Sequence, residues 1–249
     1  MTKIKTAIML CAGFGKRMGE LTQNQPKPTI EIFGKSFIHR TFDMLIEHGV
    51  YHVIINAHYL ADELFDHIQK YDRLDLLTVD FLYENEILET AGGVINALDL
   101  IRGDEFFIVN GDVLFTNYSI LPFARLEQSY NKNNMDMILL LQPKEKVYGY
   151  HGKGDFDLVA PISKIGQLIR YEGAMPYVHS GVYLTRKSVF ENFPKEYFKM
   201  MDLFKLREDK NNGIEKFYGV LNEGFCLHIG DKKSYYELDD FVKNNKIKL

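Results

Sequence analysis

Between Leu10 and Pro28 the sequence reads LCAGFGKRMGELTQNQPKP, which gathers the residue types best suited to handling phosphate. Ala7 to Cys11 are an apolar run that predicts a short buried strand. Gly13 and Gly15 follow it, so the backbone can turn tightly and bring its N–H groups to an anion with no Cβ in between. Arg17 supplies a planar fork of donors for phosphate oxygens, and Lys27 is restricted in direction by Pro26 and Pro28. Much later, Asn110-Gly111-Asp112 closes an apolar run with a carboxylate. A strand-terminal carboxylate can hold Mg²⁺, and the ion then neutralises phosphate charge. As a bare tripeptide, the same segment also reads as a turn closing a strand.

Two phosphate-binding patterns do not fit. A dinucleotide fingerprint needs Gly-x-Gly-x-x-Gly, and here the third glycine is Gly19, one residue late, with no helix pattern opening inside the loop. Gly34-Lys35-Ser36 looks like the end of a P-loop, but Thr29 stands where its first glycine belongs. The chain also has no Gly-x-Ser-x-Gly, His-Glu-x-x-His or Cys-x-x-Cys, so hydrolase, zincin and redox chemistry have no footing.

The pattern that fits is L-x-A-G-x-G-x-R-M, followed after a short loop by P-K-P. It resembles the signature of the sugar-1-phosphate nucleotidyltransferases position for position. The resemblance implies attack by the phosphate of a sugar 1-phosphate on the α-phosphorus of a nucleoside triphosphate, with pyrophosphate leaving. It assigns catalytic roles to Arg17, Lys27 and Asp112, and nucleotide contacts to Ala12, Gly13, Gly15 and Asn110. Glu86 to Gly93 resembles the segment that contacts the base, with Gly92 and Gly93 on the nucleotide; Ile87 replaces the usual proline and Ala91 a frequent glycine. His151 to Phe156, Ser180-Gly181-Val182, Glu89-Thr90 and Val109 to Val113 are similar to segments of the N-acetylmuramate-1-phosphate uridylyltransferases, which implies that Gly154 and Gly181 lie on the sugar. A glycine-rich hairpin and a strand glycine account for those two equally. The resemblance runs from Ile8 to about Leu238.

One departure concerns the metal. The family ends its metal site with a second aspartate, and in Cys226-Leu227-His228-Ile229-Gly230-Asp231 the matching residue is His228. Asp112 and His228 are then the implied ligands, with Mg²⁺ as the cofactor, or Mn²⁺ or Co²⁺, which suit imidazole better. His228 also reads as a packed or hydrogen-bonded histidine, and Asp231 as the cap of a last helix carrying Tyr235, Leu238 and Val242. Three functions stay open: a uridylyltransferase acting on N-acetylmuramate 1-phosphate, a guanylyltransferase acting on mannose or heptose 1-phosphate, or a non-catalytic nucleotide- or sugar-binding relative.

The elements around these residues alternate. Ser36 is set to cap a helix with Ile38, Phe42, Leu45 and Ile46 on one face, closing at Gly49. Strands are expected at 53–55, 79–82 and 106–109, with helices striped by Leu60, Leu64 and Ile68 and over 90–101, the latter capped by Thr90. The unbroken apolar run 106–109 predicts a central parallel strand covered on both faces. Further strand-like runs lie at 137–141, 178–184, 216–220 and 226–229. The fold class is α/β, a Rossmann-like doubly wound mixed sheet, which the resemblance makes a nucleotidyltransferase, glycosyltransferase-A-like sheet. One domain is expected over 1–249, with a nucleotide-binding half to about 130 and a sugar-binding half beyond.

Small-molecule partners, a nucleoside triphosphate and a sugar 1-phosphate, are what the resemblance implies, and composition excludes one other class. A formal net charge of −4 without a basic block argues against a nucleic-acid backbone. Cys11 and Cys226 are too few for a disulfide framework, and the apolar stretch after Lys5 is too short for a signal peptide or a membrane span, so a cytoplasmic protein is expected. The sequence leaves the oligomeric state open.

Overall fold

The computed structural model describes residues 4–170, 172–209 and 213–247. Among them, nine strands form one mixed sheet: β1 (Thr6–Leu10), β2 (His52–Ala57), β3 (Thr78–Tyr83), β4 (Glu105–Asn110), β5 (Met137–Pro143), β6 (Asp157–Ile162), β7 (Ile165–Ile169), β8 (Tyr177–Arg186) and β9 (Phe217–Leu221). Their order is β6-β7-β9-β5-β8-β4-β1-β2-β3. β1 pairs parallel with both β2 and β4, and β2 pairs parallel with β3, so the first half of the chain builds a Rossmann-like parallel block. The second half joins it where β8 runs antiparallel to β4. The expected doubly wound mixed α/β sheet is the fold observed, although β4 is parallel to its neighbour on one side only.

The continuous apolar runs follow from coverage of both sheet faces. Side chains alternate along a strand. Ala7, Met9, Val53, Ile55, Phe107 and Val109 therefore pack into one cluster beneath α1 (Phe37–His48), α2 (Ala61–Ile68) and α4 (Pro122–Ser129). Ile8, Ile54, Phe106 and Ile108 point the other way, under α3 (Glu89–Ala97) and α5 (Met200–Leu206). Full burial of each of the Val, Ile, Met and Phe side chains among these stabilises the fold by about 1.5–3 kcal/mol. A third cluster joins Met18 and Phe37 to Leu227, Ile229 and Leu238, and so ties the first loop to the C-terminal helices α6 (Lys232–Tyr236) and α7 (Leu238–Asn244).

Ser36 caps α1, its hydroxyl accepting the His39 N–H, and Gly49 closes the helix at φ 93° with its own N–H on the Leu45 and Ile46 carbonyls. Asp231 caps α6 in a reciprocal box with Ser234. Thr90 is not a cap: α3 begins at Glu89, which takes φ 64°, and Thr90 lies inside the first turn. That helix stops at Ala97 and passes into a 3₁₀ turn at Leu98–Leu100. The expected single last helix is two, divided at Glu237. The glycine loop, where no helix pattern is legible, contains a 3₁₀ segment, Lys16–Thr22, bent at Gly19. Cys11 and Cys226 are buried free thiols, and among the described residues no helix is long and apolar enough to cross a membrane.

Candidate active site

The chain leaves β1 towards β2 on one side, and β4 lies against the other side of β1. In parallel sheets a ligand crevice opens at such a reversal, beyond the carboxyl ends of the strands. Here it is a cleft of about 440 Å³, walled by residues 10–18 from β1 and its loop and by Asn110, Gly111 and Asp112 from the end of β4. The cleft brings together Ala12, Gly13, Gly15, Arg17, Lys27, Asn110 and Asp112 of the residues predicted from sequence. Gly15 needs its left-handed backbone, φ 63°, to start the 3₁₀ segment, and Gly13 faces open space.

Lys27 is nearly buried, at 9% exposure, although lysine is rarely so without a partner. The partner is Asp112, whose Oδ2 lies 2.5 Å from Lys27 Nζ. The 3₁₀ turn Lys27–Thr29 fixes the lysine: the Thr29 amide and hydroxyl both donate to the Pro26 carbonyl, and Ile30 N–H donates to that of Lys27. Burial opposes ionisation of Asp112, but the charge and hydrogen bond of Lys27 overcome it and hold the carboxyl below its ordinary value, with His228 acting in the same direction. Lys27 is thus a cation preset at the carboxylate, with both groups facing the cleft.

His228 follows the short strand Phe225–Leu227, and its N–H donates to the Tyr148 carbonyl. Gly230, two residues on, lines the cleft. A side chain at Gly230 would put its Cβ 2.6 Å from His228 Nε2 and 3.5 Å from Arg17 Nη1, so the missing side chain leaves room between imidazole and guanidinium. Burial foremost, then Lys27 and Arg17, pushes the imidazole below its ordinary value against the pull of Asp112 and Asp231, so it is neutral near pH 7. Among the described residues no cluster of three or more His, Cys, Asp and Glu is arranged to hold a metal. One carboxylate with one neutral imidazole nevertheless fits a cation that takes its remaining ligands from substrate phosphates and water, as Mg²⁺ commonly does.

On the opposite side of the cleft, the structure adds residues that sequence reading passed over. Asn56 is the penultimate residue of β2 and Glu84 directly follows β3; both line the cleft and are buried. Burial raises the Glu84 carboxyl, opposed by its hydrogen bonds from Asn56 and Leu88 and by His58. Their signal was a polar residue directly after an apolar run, at the same sheet edge as Asp112. Phe14 and Lys16 also line the cleft; Phe14 packs edge-on to His58, and Lys16 Nζ sits 4.7 Å from its ring centre. Gly92 and Gly93 do not line the cleft directly. Gly92 donates its N–H to Phe198, and a Cβ on it would meet the Glu196 carbonyl at 2.4 Å. Gly93 presses on Asn56 and Glu84.

Gly154 and Gly181 also lie outside the cleft lining. Gly154 fits against the Met175 carbonyl, which a Cβ would approach to 2.1 Å, and Gly181 occupies an irregularity in β8 against Val113 and Asn110. Between them stands Asp155, a further residue not singled out from sequence. Its Oδ2 accepts the His179 N–H at 2.9 Å and its Oδ1 faces the Tyr150 hydroxyl, which accepts the Gly154 N–H. The Tyr150 ring in turn packs edge-on to His228, so this glycine-rich loop is fastened beside the Asp112 end of the cleft.

Comparison with known proteins places the sequence and the fold. A family model described as Nucleotidyl transferase matches residues 6–245. The chain is similar to an N-acetylmuramate alpha-1-phosphate uridylyltransferase of Caulobacter vibrioides, 28% identical over 92% of this chain and 93% of that protein. It is also similar to a D-glycero-alpha-D-manno-heptose 1-phosphate guanylyltransferase of Aneurinibacillus thermoaerophilus, 24% identical over 92% of this chain and 94% of that one. Among solved structures, HddC from Yersinia pseudotuberculosis complexed with GMP-PN superposes with a TM-score of 0.71 at 25% identity, covering 96% of this chain and 100% of the other.

Proposed function

The chain belongs to the nucleotidyl transferase family, and from that premise we propose that it transfers a uridylyl group from UTP to N-acetylmuramate 1-phosphate, releasing pyrophosphate. The observation that carries the reading is the Lys27–Asp112 pair, set in the cleft at the reversal of strand order beside the glycine loop and Arg17. The Caulobacter relative, matched along nearly its whole length, supports the base and the sugar.

A phosphate oxygen of the sugar 1-phosphate forms a bond to the α-phosphorus while the bond from that phosphorus to the bridging oxygen breaks, and the electron pair leaves with pyrophosphate. No enzyme nucleophile is needed, so the residues work by position and charge. Lys27 sits against the reacting phosphates, Arg17 against the departing pyrophosphate, and the loop amides around Ala12 and Gly13 cradle the triphosphate. Asp112 and His228 would hold a divalent cation, which when bound supplies charge neutralisation at the α-phosphate.

The Aneurinibacillus relative favours a second reading, transfer of a guanylyl group to a heptose or mannose 1-phosphate. Pyrophosphate release from UTP, GTP, CTP and dTTP, with a panel of sugar 1-phosphates and with Mg²⁺ or Mn²⁺, separates the two. Release with UTP and N-acetylmuramate 1-phosphate is the expected result; GTP preference transfers the assignment to the second reading, and silence throughout removes both.

A further inference from the structure

Three strand ends meet beneath the cleft through one side-chain relay. The Cys11 N–H, where β1 gives way to the glycine loop, donates to Asn56 Oδ1 at 2.8 Å. Asn56 Nδ2 donates to Glu84 Oε1 at 2.8 Å, and Glu84 Oε2 accepts the Leu88 N–H at the start of α3. Asn56 is 3% and Glu84 2% exposed, so neither can exchange these partners for bulk water. The fit is close: a Cβ on Gly93 would lie 2.6 Å from Asn56 Nδ2 and 3.1 Å from Glu84 Oε1. The relay therefore spans from the loop that faces phosphate to the segment 87–90 on the other wall of the cleft.

We propose that Asn56 and Glu84 are positioning residues that set the spacing between the phosphate-facing loop and the 87–90 segment, so that a nucleoside triphosphate is gripped at both ends in one register. The proposal rests on the nucleotidyltransferase reading. Its chemistry is directional. Asn56 must accept on one atom and donate on the other, whereas Glu84 must accept on both. Asn56→Asp sets acceptor against acceptor, and Glu84→Gln sets donor against donor. The double variant Asn56→Asp/Glu84→Gln restores every bond with the central one reversed. The carboxylate introduced at position 56 accepts from the Cys11 N–H and from the amide introduced at position 84, and the oxygen of that amide still accepts the Leu88 N–H.

The test measures UTP binding by calorimetry, pyrophosphate release and thermal melting for the four proteins, with ribose 5-triphosphate as a ligand that lacks the base. Each single variant is expected to weaken UTP binding roughly ten-fold, the size of a mispaired buried polar contact. The double variant is expected to return to within about three-fold of the parent, because the full set of bonds is restored. Ribose 5-triphosphate, gripped at one end only, is expected to be nearly indifferent to all three changes. Additive losses in the double variant overturn the proposal, as do equal losses with ribose 5-triphosphate, which would mean that the relay only supports the phosphate loop. Parent protein that binds UTP without turnover leaves the relay supported on binding while removing the enzymatic reading. Parent protein that binds neither UTP nor GTP overturns both.

Discussion

Lys27 Nζ and Asp112 Oδ2 are in contact at 2.5 Å although 85 residues separate them in sequence. The contact joins a proline-flanked turn from the first loop to the carboxyl end of β4, so the two groups that would meet the reacting phosphates are preset by backbone elements. Substituting either group removes half of a coupled unit. Lys27→Met and Asp112→Asn are each expected to lower the rate of pyrophosphate release roughly a hundred- to a thousand-fold, with the double variant little worse than either single. Losses that multiply would mean that the two act independently.

The same pair gives a pH signature. The folded-state Asp112 carboxyl lies below its ordinary value of 3.8. A depressed carboxyl adds stability that is complete above the ordinary value and is lost as pH falls through the lowered one. Lys27→Met is therefore expected to lower the melting temperature most near neutral pH, with the gap to the parent protein closing below about pH 4. A gap that widens on acidification would contradict the pairing.

Gly92 and Phe198 show how the second half of the chain holds the first. Gly92 N–H donates to the Phe198 carbonyl, Phe198 N–H donates to that of Leu88, and a methyl group on Gly92 would press on the Glu196 carbonyl at 2.4 Å, on Leu88 Cβ at 3.0 Å and on the Phe198 N–H at 3.2 Å. Gly92→Ala is expected to cost about 1–3 kcal/mol. In a chain of this size each kcal/mol lowers the melting temperature by about 2–4 °C. A melting temperature equal to that of the parent protein would show that the 196–198 segment yields freely.

Much of this was legible in the sequence because local chemistry dictated it. Ser36 and Gly49 bound α1, Asp231 caps α6, and the glycine loop with its lysine between prolines lies at the predicted sheet edge. Thr90 could not be placed: a cap-forming residue type was offered by sequence, but the pairing of Leu88 with Phe198 is long-range and starts the helix one residue earlier. Asn56 and Glu84 carried only the weak signal of a polar residue at the end of an apolar run, and their role was illegible for the same reason, since each acquires it from a partner distant in sequence. Asp155 stands inside a motif whose glycines carry the legible signal; its contacts to His179 and Tyr150 exist only once the loop folds onto β8.

Asp155 accordingly yields a prediction about the acceptor. Its carboxylate fastens the loop 150–155 beside His228, away from the Asn56 end of the cleft. Asp155→Ala is expected to raise the KM for the sugar 1-phosphate about ten-fold, as for one lost charge-assisted hydrogen bond, and to leave the KM for the triphosphate within about two-fold. Equal rises in both constants would assign Asp155 to general stability.

As a proposed ligand of the cation, the His228 imidazole is expected to set the choice of ion. It is neutral near pH 7 because burial and the cations Lys27 and Arg17 suppress its protonation, so it is able to donate a lone pair. Hard Mg²⁺ prefers oxygen, whereas Mn²⁺ and Co²⁺ accept nitrogen more readily. His228→Asp replaces the nitrogen donor by a carboxylate close to Asp112. The ratio of Mn²⁺- to Mg²⁺-supported pyrophosphate release is expected to fall about ten-fold, a difference of roughly 1.4 kcal/mol between the two ions. A second acid near Asp112 also strengthens the need for a cation, so the variant without added metal is expected to melt earlier than the parent and to recover when Mg²⁺ is supplied. An unchanged metal ratio together with unchanged melting would place the His228 side chain outside the cation's reach and leave Asp112 as its sole protein ligand.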